Sequence, residues 1–190
     1  MKKIVNAYRA GTKLVKEILH LISVPKFPQK SVGDYLYTSA SFDDIVELES
    51  IYVDLNGTRF RRPQRLSLLF NIRKRLLVVK TNENGSEKIV GMNFYYLNNK
   101  DLKEKTIHEG FIGVLPNHRG QGLATEMRKI AILHFSRSRF KGISTRISKK
   151  NLGSLRSAEK LGFVPAEEYF DFNMDETRYY MVCKFRNDRD

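Results

Sequence analysis

Cysteine is nearly absent from this 190-residue chain: Cys183 stands alone. No internal disulfide can form, and a single thiol suits a reducing compartment, so a cytoplasmic protein is expected. The four histidines (His20, His108, His118 and His134) share no metal-ligand spacing with Cys183, and no metal is expected. No apolar run approaches the roughly 18 residues of a membrane span. The opening Met-Lys-Lys imitates a secretory leader, but Arg9, Lys13, Lys16 and Glu17 interrupt the apolar segment that would have to follow, so no signal peptide is expected. Repeats, low-complexity tracts and a Gly-x-Ser-x-Gly hydrolase elbow are also missing.

Hydrophobic residues make up 41% and charged residues 29%, the balance of a soluble globular protein. The length is that of one large domain, with a core that needs neither disulfides nor metals. The net charge of +13 is concentrated. Residues 1–30 hold seven cations and one acid, residues 59–75 hold seven cations and no acid, and the remaining 143 residues are net neutral. Two patches of one sign point to an anionic partner or ligand more than to general solubility, although a solvated face is the commoner meaning of a charge run.

Residues 3–23 read as an amphipathic helix on Ile4, Tyr8, Gly11, Val15, Ile18 and Ile22, ended by Pro25 and Pro28. A strand is expected over 34–40. A helix over 42–55 follows, with Ser41 as its N-cap and Asn56-Gly57 as its stop, then a basic helical stretch to Arg75. Leu76–Lys80 and Lys88–Leu97 form a hairpin around Asn84-Gly85. Further elements are a strand over 106–115, a helix from Gly120 to about Phe140, a strand over 143–148, a helix over 151–161, and strands over 168–174 and 178–185. The fold class is α+β, with a mixed central sheet flanked by helices. Residues 31–190 form the domain and residues 1–30 a basic, amphipathic helical extension.

The chemistry lies in Val114-Leu115-Pro116-Asn117-His118-Arg119-Gly120-Gln121-Gly122-Leu123-Ala124. A strand enters, a helix leaves, and the turn between them is rich in glycine. A helix start leaves backbone N–H groups unpaired and carries partial positive charge, so an anionic phosphate can sit on it. A dinucleotide fingerprint fails, because Thr125 stands where the third glycine belongs and no acid follows at the right distance. A nucleotide P-loop fails for want of Gly-Lys-Ser/Thr.

The whole pattern resembles the GNAT superfamily of N-acetyltransferases, whose acetyl-CoA signature is Arg/Gln-x-x-Gly-x-Gly/Ala after a strand ending Val-x-Pro. A second family element follows in Asn151-Leu152-Gly153-Ser154 and Ala158-Glu159-Lys160-Leu161-Gly162-Phe163. The similarity is greatest to the branch that includes ribosomal-protein and small-amine N-acetyltransferases. It covers about 105–165, leaving residues 1–30 and 59–75 unexplained.

The resemblance implies acetyl-CoA as cosubstrate. The backbone of Ile112, Gly113 and Val114 would pair with the pantetheine arm as an added strand. The amides of Arg119, Gly120, Gln121, Gly122, Leu123 and Ala124 would take the pyrophosphate, and an amide near Ile112 to Val114 the developing oxyanion. Asn151 and Ser154 would lie near the thiol; Asn151 also suits an N-cap, and both roles hold together if its carbonyl caps while its amide reaches the cofactor. An amine acceptor of pKa ~10.4 must lose a proton, and Glu109 is placed to take it. The plainer reading of Glu109 is a salt-bridged strand residue. His108 is the second candidate base, although its strand position turns it to the other face. Relatives place a tyrosine at the position of Ala158 to protonate the leaving thiolate. This chain departs from that, although a thiol of pKa near ~8.5 can leave with water's help.

The expected reaction is acetyl or acyl transfer to a primary amine by direct attack on the thioester. The other reading is a non-catalytic acyl-CoA-binding module, which Ala158 would allow. The acceptor is a small molecule or a peptide, and the cations of 59–75 favour an anionic one: an amino sugar nucleotide, a phosphorylated metabolite, an acidic peptide or RNA. The N-terminal helix has packing, homodimer formation or a membrane surface open to it, and Gly11 and Thr12 favour the first two by weakening it as a free helix.

Overall fold

The computed structural model describes Val15, residues 19–60, Arg65 and residues 71–185. The described chain runs β1 (Lys30–Val32), β2 (Tyr35–Ser39), α1 (Ile45–Asn56), α2 (Ile72–Arg75), β3 (Leu76–Glu83), β4 (Ser86–Tyr96), α3 (Asn99–Glu104), β5 (Thr106–Val114), α4 (Leu123–Ser136), β6 (Gly142–Ser148), α5 (Leu152–Glu159), β7 (Val164–Asp171) and β8 (Glu176–Lys184). The strands form one sheet in the order β1-β2-β3-β4-β5-β6-β8-β7. Neighbours are antiparallel except β5 and β6, which the α4 crossover makes parallel. The architecture is the expected α+β fold with a mixed sheet.

Alternation along the strands sends side chains to two cores. On one face Tyr95, Ile107, Ile143 and Met181 pack under Met127, Ala131 and Phe135 of α4 and Leu155 and Ala158 of α5. On the other, Val78, Met92 and Phe94 pack under Leu48, Ile51 and Tyr52 of α1. The first face is called here the α4 face and the second the α1 face.

The local signals account for most element ends. Asn84 (φ 53°) and Gly85 (φ 80°) make the two-residue β3–β4 turn, the backbone that an Asn-Gly pair favours. The first helix starts later than expected. Ser41 is not its N-cap: its amide and hydroxyl donate to the Asp44 carboxylate at 2.6 and 2.9 Å, and Asp44 sits at the cap position. The helix after the glycine turn begins at Leu123, because Gly120 and Gly122 are both left-handed. β7 begins four residues before the expected 168. β1 and α3 have no counterpart in the sequence reading. β1 is three exposed residues, and α3 is one turn and a half capped by Asn98, whose Oδ1 accepts from the amides of Lys100 and Asp101.

Most of the expected 3–23 helix lies outside the described residues. Its end is helical at 19–21. Leu21, Val24 and Phe27 are buried in the α4-face core, where the Phe27 ring stacks on His134 at 4.1 Å. The end of the 1–30 segment is thus built into the packing of the domain. The described cations of the 59–75 patch go to separate partners. Lys74 donates to the carbonyls of Leu21 and Ile22, the buried Arg75 donates to the Tyr95 carbonyl, and Arg65 pairs with Glu49. Arg61 and Arg62 lie outside the described residues. Backbone carbonyls at a helix end carry partial negative charge and so can take up cations without any external anion.

Candidate active site

β5 and β6 pair only from Thr106↔Gly142 to Glu109↔Thr145. β6 continues to Ser148 beside β8, and β5 continues to Val114 beside β4. The two parallel strands therefore part, and the edge of β5 from Gly110 to Val114 faces a cleft of about 880 Å³. One reason for the parting is local. Gly110 is the extra residue where the β4–β5 register shifts, and it bends the strand. A second glycine admits α1: a Cβ on Gly113 would lie 2.7 Å from Leu55 Cδ1 and 2.7 Å from the Phe111 ring.

At the far end of β5 a 3₁₀ turn, Pro116–His118, leads through Arg119 to the start of α4. No side chain caps α4, and its N-cap is Gly122 at φ 77°. A Cβ on Gly120 or Gly122 would meet nothing within 4 Å. These glycines are therefore required by backbone angle and not by crowding. They leave the first amides of α4 open to an anion. The turn is braced from outside. The Tyr35 hydroxyl lies 2.8 Å from Gln121 Oε1 and 3.1 Å from His118 Nδ1, and His118 Nε2 lies 3.1 Å from Glu83. Glu126 in the first turn of α4 is matched by Lys30 and Lys129; burial pushes its carboxyl up, but the two lysines hold it below its ordinary value.

The floor of the cleft is a buried ionic frame. Glu109 takes two contacts at 2.8 and 3.1 Å on Oε1, and one at 3.2 Å on Oε2, from Arg128 of α4. Asn93 donates to Oε2 at 3.1 Å and Thr145 to Oε1 at 3.2 Å. Both side chains of the pair are 1% exposed. Arg128 also donates to the carbonyl and hydroxyl of Ser154, tying β5 to α4 and α5. The carboxylate oxygens of Glu109 are thus committed to the frame. His108 points to the α1 face and does not line the cleft; its Nδ1 lies 2.7 Å from Ser144 Oγ. Burial first, then the positive charge of Arg146 and Arg178, depresses His108 to about 3, so it is neutral at pH 7.

Ile112, Gly113, Val114, Arg119, Ala124, Asn151 and Ser154 all line the cleft. Gln121, Gly122 and Leu123 border the adjoining hollow of about 350 Å³ between the turn and β1–β2. Asn151 Oδ1 accepts from the Ser154 amide at 3.0 Å and so caps α5. Arg119 turns back, and its Nε donates to the Val114 carbonyl at 3.1 Å. Ala158 is fully buried in the core and does not reach the cleft.

The model of the acetyltransferase (GNAT) family matches residues 42–163. That is more than half of the chain, and it contains both diverging strands and the glycine turn. The chain belongs to the acetyltransferase (GNAT) family. No curated protein matches it in sequence. Solved structures share the fold at low identity. Arabidopsis thaliana Naa50 in complex with the bisubstrate analogue CoA-Ac-MVNAL superposes with a TM-score of 0.68 at 14% identity, covering 80% of this chain and 99% of that one. The Escherichia coli ribosomal-protein-S18-alanine N-acetyltransferase gives 0.61 at 16% identity, covering 82% and 97%. Arabidopsis thaliana NAA60 in complex with acetyl-CoA gives 0.63 at 15%, covering 79% and 99%.

Several cleft residues of this family member escape a sequence reading. Arg128 is a charge on the buried face of α4, at a position where helical periodicity asks for an apolar residue, and that mismatch is a usable signal. Arg146, Glu176 and Arg178 come from strands distant in sequence, and only the β6–β8 register brings them together. Of the 59–75 cations, Arg59 lines the cleft, on the wall built by α1.

Proposed function

We propose that the protein is an acetyl-CoA-dependent N-acetyltransferase that passes the acetyl group directly to an amine. The observation that carries this reading is the parting of β5 from β6 beside an uncapped glycine turn. The free edge of Gly110–Val114 offers pantetheine a strand to pair with, and the turn offers pyrophosphate a set of amides. The thioester carbonyl would meet an N–H of this edge as negative charge develops on its oxygen. The two ligand-bound neighbours, one with a CoA–peptide analogue and one with acetyl-CoA, support the assignment of cosubstrate and of an amine acceptor.

Glu109 in this reading is a positioning residue that holds Arg128 and Ser154 at the thiol end. The proton of the acceptor ammonium goes to Glu176, a cleft carboxylate that accepts from Ser148 Oγ at 2.6 Å and faces Arg178 Nε at 3.5 Å but, at 20% side-chain exposure against 1% for Glu109, is open to the acceptor. The test is release of free CoA thiol on adding acetyl-CoA and a panel of small and peptide amines, with product mass measured. Transfer is expected, and Glu176→Gln should lower kcat/KM with a deficit that shrinks at high pH, where the amine is already neutral. Binding of acetyl-CoA without transfer to any amine would favour the non-catalytic module instead.

A further inference from the structure

The cleft's outer wall carries polar groups that the reaction above does not use. Arg146 of β6, Arg178 of β8 and Tyr169 of β7 lie on the α1 face of the sheet. The register places Tyr169 opposite Arg178, and Arg178 opposite Ser148, two residues along β6 from Arg146. The α1 helix covers β4 and β5 on this face, and these three side chains stand beyond it.

Their partners are incomplete. The Tyr169 hydroxyl and Arg178 Nε are both buried without a hydrogen bond among the described residues. Arg178 is held by ion pairs, with Nε 3.5 Å from Glu176 and Nη1 3.6 Å from Asp171, and its Nη2 donates to the Arg146 carbonyl at 2.9 Å. The guanidinium of Arg146 lines the cleft and has neither hydrogen bond nor ion pair among the described residues. An unpaired arginine on open surface is satisfied by water and means little. Arg146 is exposed but stands inside the cleft beside Arg178, which also lines it, whereas the Tyr169 hydroxyl is buried and is not part of the cleft lining. Arg59 on the α1 wall adds a second cation to the same cleft.

The position separates this group from the cofactor site. Glu109, Arg128 and the start of α4 are on the α4 face, whereas Arg146 shares its face with Ser144 and His108. A phosphate on the glycine turn is therefore held by the opposite side of the sheet. We propose that Arg146, assisted by Arg178, anchors a carboxylate of the acceptor close to the amine that is acetylated. A guanidinium binds a carboxylate in a two-pronged, planar fashion. The proposal rests on the acetyltransferase reading and names the acceptor's class within it.

Two matched pairs of acceptors separate the sources of such a carboxylate. One pair is a free amino acid and its amide. The other is a tetrapeptide amide with Glu or Gln as its second residue. In acetyl-CoA-dependent assays the carboxylate member of at least one pair should have a KM at least about tenfold lower. Arg146→Gln should abolish that preference and Arg146→Glu reverse it, while the KM for acetyl-CoA moves less than about threefold. Equal KM values within both pairs, or a preference that survives Arg146→Gln, would overturn the anchor while leaving the acetyltransferase reading in place. If no amine is acetylated, that reading fails separately. Equilibrium binding of fluorescent Glu and Gln tetrapeptides to the CoA-loaded protein then decides the anchor by the same comparison.

Discussion

Glu109 shows how one residue can fit a chemical role by position while its surroundings tie it into a buried ion pair. Its place five residues before Val114 suits a base, but its oxygens face Arg128, Asn93 and Thr145. Breaking a buried ion pair from one side leaves the partner's charge uncompensated, at a cost of ~3–5 kcal/mol. Glu109→Gln should therefore lower the melting temperature by about 6–20 °C at ~2–4 °C per kcal/mol for this size. Calorimetry with and without acetyl-CoA reads this directly. A variant that loses rate but keeps its melting temperature would return Glu109 to the chemistry. The burial of Arg128 was the missing piece, because in sequence a charge on a helix reads as solvated. Asn151 was more legible: its residue type and its place before a helix predict the cap that Oδ1 makes.

At the scale of elements, the decisive unit is the strand–turn–helix from β5 to α4. Gly122 has a left-handed backbone and open space around it, so a β-branched side chain would be strained there and would also stand over the amides. Gly122→Val should weaken CoA binding at least tenfold by isothermal titration while circular dichroism stays native. A folded variant that binds CoA normally would show that the phosphates lie elsewhere. This unit could be read in sequence because glycine and proline act locally. The same holds for the β3–β4 hairpin, whose Asn-Gly turn carries its own geometry. β1 left no signal, since three exposed residues show no apolar period, and its pairing with β2 decides it.

Considered whole, the molecule buries two histidines that are neutral in the fold. His108 is depressed to about 3 by burial and then by Arg146 and Arg178, and His134 to about 4 by burial and then by Arg137. An unfolded histidine titrates near ~6.5 and takes up a proton below that, so the unfolded state binds more protons between there and the folded values. Their contribution to stability is thus complete above pH ~6.5 and is lost as the pH falls toward 4 and then 3. Asp101, raised by its burial, acts in the opposite sense over the acid range. The melting temperature should fall between pH 7.5 and 5, and His134→Phe, which keeps the stack on Phe27, should flatten that fall. An unchanged slope in the variant would place the proton uptake elsewhere.

Sequence alone determined what depends on neighbours along the chain. The fold class, the glycine turn with its strand and helix, the hairpin and the family all follow from local backbone preferences and short-range spacing. Tertiary structure decided what depends on partners far apart in sequence. The seven cations of 59–75 are contiguous in sequence; among the described ones, Lys74 and Arg75 are drawn to backbone carbonyls and Arg65 to Glu49. The positive wall of the cleft is assembled instead from Arg59, Arg146 and Arg178, which are separated in the chain and collected by sheet register and the packing of α1. Charge acts through space, so its meaning is set by where the fold puts it.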